Sequence, residues 1–96
     1  MFFQVKVRVE LTTIKEFGRK LQVNELDRSA IRTETYCLKS DPAVGFSIWE
    51  AADRKAFDSI FAAWKLYYSE AEVTEVITAR DAMGALMQKM PQRPGS

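Results

Sequence analysis

The alternation of the first dozen residues does most to limit what this chain can become. Phe3, Val5, Val7, Val9 and Leu11 alternate with Gln4, Lys6, Arg8 and Glu10, and successive side chains of an extended backbone point to opposite sides. One side is wholly apolar and the other wholly polar. Wound into a helix, the same residues would spread around the full circumference. The segment reads as a β-strand with one covered face and one uncovered face, and the remaining chain has to provide the cover.

Two segments have the right spacing for that. After Thr12, Thr13 with Glu16 three residues on fits a capping box. Ile14, Phe17 and Leu21 then fall on one helix face, with Gly18 placed to ease close contact with the sheet, Asn24 as a stop and Glu25 to Ser29 as a polar connection. Further along, Asp53 is a good N-cap for a helix in which Phe57, Ile60, Phe61, Trp64 and Tyr67 or Tyr68 recur at three- and four-residue steps. Three more strands are expected: 31–39, rich in β-formers but weakly alternating, as suits an edge; 44–49 after the Ser40-Asp41-Pro42-Ala43 turn; and 71–77. Thr78 and Asp81 then open a last helix carrying Ala82, Met83, Leu86, Met87 and Met90.

The order β-α-β-β-α-β plus a C-terminal helix predicts an α+β, ferredoxin-like fold. Right-handed crossovers give its four-stranded antiparallel sheet the order 4-1-3-2. Residues 1–90 are expected to form a single domain, with a flexible tail over 91–96 where Pro91, Pro94 and Gly95 end any helix.

Composition excludes more than it selects. Ninety-six residues allow one core of modest depth. A net charge of +1 gives no field to draw the chain to nucleic acid or an anionic membrane. With no histidine, the commonest general base and metal ligand are missing. One cysteine, Cys37, closes no internal disulfide and has no base to activate it, so it reads as a half-buried structural thiol. No metal and no cofactor are expected. The N-terminus is not a signal peptide and no apolar run approaches membrane-spanning length, so a cytoplasmic protein is the default expectation.

Both covering helices belong on one side of the sheet, so the other side is left open. If Phe3, Val5, Val7 and Val9 meet the helices, Lys6, Arg8 and Glu10 stand on the open face. The same reading turns Val44, Phe46 and Ile48 inward, and Gly45, Ser47 and Trp49 outward. Strand two would add Glu34, Tyr36 and Leu38 to the open side. Large aromatic side chains are costly to leave in water, and a mixed aromatic and charged patch suits a partner or ligand. A homodimer joined through the open sheet face is expected, with Lys6, Arg8, Tyr36 and Trp49 binding a small anionic or aromatic molecule between the sheets. Only the last helix remains in the chain as alternative cover. Charge is segregated as well: eight basic against five acidic residues up to Ser40, then four against eight from Asp41 to Ala85. Glu72 and Glu75 are accordingly expected to pair with Lys6 and Arg8 across the strands.

The element order and open amphipathic sheet resemble the dimeric α+β barrel superfamily. Phe3-Gln4-Val5-Lys6-Val7-Arg8-Val9-Glu10-Leu11 is similar to the opening strand of muconolactone isomerase-like proteins. Gly45 through Asp53, then Trp64, then Glu72 through Ile77, are similar to short prokaryotic proteins of unknown function in the same superfamily. The resemblance implies the fold and carries no catalytic residue across; the missing histidine departs from members that use one. It adds one alternative, a cofactor-independent isomerase or monooxygenase, with Glu10 or Glu34 as base and Arg8 steadying an enolate. A third reading is an assembly module acting through the sheet edge or the last helix. RNA recognition is disfavoured because strand one offers no stacking ring to the open face. A metallochaperone would need cysteines where Thr12 and Thr13 stand.

Overall fold

The computed structural model describes residues 1–89; Met90 and the tail expected over 91–96 lie outside them. Strand β1 (Phe2–Val9) leads through a 3-10 turn (Leu11–Thr13) into helix α1 (Ile14–Gln22). Then follow β2 (Tyr36–Cys37), β3 (Val44–Glu50), α2 (Arg54–Lys65), β4 (Tyr68–Val76) and α3 (Ala79–Lys89). The four strands form one antiparallel sheet in the order β2-β3-β1-β4. This is the ferredoxin-like α+β arrangement that the sequence predicts. No helix among the described residues is long and apolar enough to cross a membrane.

Local chemistry accounts for most helix ends. Asp53 accepts the Ala56 N–H at 2.8 Å and so satisfies one orphan donor of α2. Asn24 adopts a left-handed φ of 58°, and the Glu25 N–H reaches the Lys20 carbonyl at 3.0 Å while the Asn24 N–H reaches Leu21 at 3.3 Å. Those two bonds form a Schellman stop. The Thr13–Glu16 box does not form. The 3-10 turn intervenes, Glu10 accepts the Thr12 N–H at 3.3 Å, and the Thr13 hydroxyl donates to the Glu10 carbonyl. Gly18 has nothing within 4 Å of where a Cβ would stand, so it serves no close helix–sheet contact.

The core lies between the helices and one face of the sheet. Phe3, Val5 and Val7 from β1 meet Phe17 of α1, Phe57, Phe61 and Trp64 of α2, and Tyr67. Trp49 joins them, and its outward placement is corrected. Residues directly opposite each other on an antiparallel ladder share a face, and Trp49 is opposite Phe3. Its indole packs edge-on against Phe57, Phe61 and Trp64 at 5.4–5.6 Å and donates to the Ser47 hydroxyl at 2.9 Å. Both alternating sets of β3 are apolar enough to face a core. The set with the larger ring fills the space beneath α2, which turns Phe46 and Ile48 to the open side.

The expected strand over 31–39 is broken. Ile31 bridges to Trp49 and Arg32 donates to the Ile48 carbonyl, after which the Thr33 hydroxyl, not a backbone carbonyl, takes the Ile48 N–H. Pairing resumes only at Tyr36 with Phe46. Between the two contacts the outer segment advances five residues and β3 only three. Two extra residues therefore bulge away from the edge, a common way of blunting an edge strand. Upstream, the connection read as polar over Glu25 to Ser29 buries Leu26 in the core, and Ala30 just after it is buried as well.

Candidate functional site

That bulge opens a cleft on the helix side of the sheet. It measures about 710 Å³ between α1, the 28–37 segment and the Val7–Gly45 end of the β1–β3 pair, within the size range of small-molecule sites. Val7 and Val9 come from β1, Phe17 and Leu21 from α1, Trp64 from α2 and Tyr68 from β4. Gly45 adds no side chain on β3. A Cβ there would stand 3.4 Å from both the Cys37 Sγ and the Thr35 Cγ2.

Several of these groups are held in place. The Trp64 indole N–H donates to the Asp27 carbonyl at 3.0 Å, and Phe17 stacks on Tyr67 at 5.1 Å while meeting Trp64 and Tyr68 edge-on. Asp27 in turn accepts the Ser29 N–H at 2.8 Å. The Ser29 hydroxyl and N–H together hold that carboxyl below its usual range. The Arg28 guanidinium donates to the Leu21 carbonyl at 3.3 Å, tying the 28–37 segment to the end of α1. Burial pushes the Tyr68 phenol above its ordinary value, so it stays neutral, and among the described residues its hydroxyl makes no hydrogen bond. The result is an apolar pocket with polar groups at few places: Arg28, Thr33, Glu34, Thr35, Cys37 and Tyr68.

The residues expected to bind a ligand between two sheets are only partly brought together. Lys6 and Arg8 do stand on the open face, in a groove of about 310 Å³ with Leu38, Asp41, Val44, Glu70 and Glu72. Tyr36 is exposed on that face and its ring lies 6.3 Å from Phe46. Trp49 is absent from it, being buried on the other side. Arg8 is ion-paired at 2.9 Å to Asp41 and 3.7 Å to Glu70, where the sequence pointed to Glu72 or Glu75. Lys6 does lie in register with Glu72, whereas Glu75 lies opposite Phe3.

The three parts of the enolate mechanism are also separated. Glu34 lines the helix-side cleft and is exposed, Arg8 lines the open-face groove, and Glu10 lines neither because it caps the turn at Thr12. Cys37 is exposed, not half-buried. The helix-side cleft was missed because its opening depends on the two-residue bulge, which alternation does not reveal. The weak periodicity of 31–39 was its one available signal.

No protein-family model matches the chain, and no curated protein matches it either. Two solved structures are similar. One is 5-chloro-2-hydroxyhydroquinone dehydrochlorinase (TftG) from Burkholderia phenoliruptrix AC1100, in complex with 2,5-dihydroxybenzoquinone. It has a TM-score of 0.53 and 14% identity, covering 84% of this chain and 98% of that one. The other is an antibiotic biosynthesis monooxygenase, with a TM-score of 0.47 and 14% identity over 81% of this chain and 100% of that one. At such identity the likeness to the dehydrochlorinase establishes the fold alone: this chain has a ferredoxin-like α+β fold.

Proposed function

We propose that this protein binds a small, flat, mainly apolar molecule, a ring bearing one or a few oxygens, in the cleft between α1 and the Val7–Gly45 end of the β1–β3 pair. The observation that carries this reading is the cleft itself. It is preformed and walled by Phe17, Trp64 and Tyr68, with few polar groups to orient a guest. Aromatic walls favour a planar occupant. A neutral phenol at Tyr68 suits a hydroxyl or carbonyl oxygen, and Arg28 suits an acidic one. The 2,5-dihydroxybenzoquinone held by the dehydrochlorinase of similar fold is flat but carries four oxygens on six carbons, so it probes the polar end of this range. The open-face groove is a weaker candidate, because its Arg8 is already occupied by two carboxylates.

Self-association belongs to the same proposal. The open face presents Tyr36, Leu38, Phe46 and Ile48 with no covering element among the described residues, and a second copy meeting it face to face would remove them from water. The reading is one of binding: among the described residues the cleft's one carboxylate is the exposed Glu34, and its aromatic walls are suited to holding a ring. Titration with 2,5-dihydroxybenzoquinone and with 1-naphthol, followed by amide shifts of labelled protein, tests the reading. Saturable shifts at Leu21, Ile31, Cys37 and Gly45 support it. Silence at these amides through millimolar probe contradicts it.

A further inference from the structure

We propose that α3 is an exchanged arm: in the homodimer, the α3 helix of each copy seats in the open-face groove of the other. The inference rests on the sheet-to-sheet pairing proposed above and goes beyond it by naming the segment that clasps the pair.

The helix has an occupant's surface and no seat among the described residues of its own chain. None of its residues is buried, and Met83, Leu86 and Met87 are 59%, 59% and 66% exposed. At 100° per residue, these three fall with Ala79 on one stripe, a pattern that in a globular protein faces a core. Arg80 and Lys89 flank the stripe on its two sides, and Asp81, the only acid of the helix, lies at the back.

The groove is complementary. Leu38 gives it exposed apolar surface over a buried Val44, and Asp41, Glu70 and Glu72 outnumber Lys6 and Arg8 by three charges to two, which leaves the rim net acidic even with Arg8 paired to Asp41 and Glu70. An apolar stripe bordered by two cations fits an apolar groove bordered by acids. Methionine, unbranched and polarisable, adapts to such a seat. A helix's own groove is badly placed for it. The groove lies at the Glu70 end of β4, at the opposite end of the strand from Val76, where α3 departs, so closure on the same sheet would need the helix to fold straight back along its own strand. The Asp81 N–H donates to the Thr78 hydroxyl at 3.1 Å, fixing the start of the helix just past the strand.

The exposed area is also that of an unfinished assembly. A compact monomer of 11.0 kDa exposes about 5,600 Å², whereas this chain exposes 7365 Å². The excess of roughly 1,700 Å² is about twice what one partner contributes to a standard interface. The radius of gyration agrees, at 17.4 Å against about 12.5 Å for a compact chain of this length.

The experiment uses the full chain with Cys37→Ser, in which Leu38→Cys and Met87→Cys are introduced singly and together. Mixing the two single variants under mild oxidation is expected to give a heterodisulfide joining position 87 of one chain to position 38 of the other, identified by mass spectrometry. Leu86→Asp, on a helix with no contact in the core, is expected to weaken the dimer at least about tenfold in sedimentation with the melting temperature of its monomer unchanged. A stable dimer that forms no such disulfide and ignores Leu86→Asp overturns the exchanged arm while leaving the sheet pairing standing. A disulfide found only within single chains of the double variant overturns it in favour of closure on the same sheet. A monomer at every concentration overturns both the arm and the pairing.

Discussion

Trp49 stands directly across the β1–β3 ladder from Phe3, and the two are 2% and 1% exposed. The pair fixes which side of β3 faces the helices and therefore what the open face presents. Trp49→Ala removes a ring that packs on Phe57, Phe61 and Trp64. It is expected to lower stability by about 3–5 kcal/mol. Phe46→Ala, on the opposite side of the same strand, is expected to cost the monomer less than half as much. Urea denaturation of both variants checks the assignment. Equal losses would mean that the face of β3 is wrongly assigned.

Much of the fold is legible from residues 3–11 alone, because a strict alternation leaves only one face to cover. Two β-α units of suitable spacing then leave little choice of topology. What could not be read was β3's orientation: Val44, Phe46 and Ile48 make as good an inner face as Gly45, Ser47 and Trp49 until the Phe3 register decides. The break in 31–39 was equally hidden, because Thr33 replaces a ladder bond with its side chain and the two-residue slip follows from that. Since the cleft depends on the slip, the candidate site lay beyond what pattern alone provides. Lys6, Arg8 and Tyr36 do lie on the open face, as the alternation of β1 predicts for the first two.

Gly45 keeps the cleft open by carrying no side chain. Gly45→Val projects two methyl groups toward Cys37 and Thr35, where even a Cβ is at 3.4 Å. Affinity for 1-naphthol is expected to fall at least about tenfold, the effect of filling contact volume in an apolar pocket. Calorimetric titration alongside a thermal melt separates lost binding from lost folding. Unchanged affinity in a folded variant would place the ligand elsewhere.

Arg8 is the residue whose role changes most between the two candidate sites. Its guanidinium is partly solvent-exposed and ion-paired to Asp41 and Glu70, and such pairs typically contribute less than about 1 kcal/mol. Arg8→Ala is expected to leave cleft binding within about twofold and to change stability by less than about 1 kcal/mol. A loss of binding above tenfold would return the ligand to the open face.

Tyr68 makes the fold sensitive to alkali. Burial raises its folded-state pKa above the ordinary tyrosine value of about 10. Below about pH 10 the phenol is protonated in both states and adds no pH dependence. Above that pH the unfolded chain releases the proton while the folded one keeps it, so stability falls by up to about 1.4 kcal/mol per pH unit. Tyr68→Phe is expected to flatten this limb of the urea-stability profile between pH 10 and 11.5. Identical alkaline slopes in both proteins would show that Tyr68 is not the group responsible.

The most direct test of the account is where a bound ring sits. Amide shift mapping of the full chain with 1-naphthol should perturb Leu21, Ile31, Cys37 and Gly45, around the helix-side cleft, and leave Lys6 and Glu72 unmoved. Shifts centred on Lys6, Phe46 and Ile48, with the cleft amides silent, would contradict it.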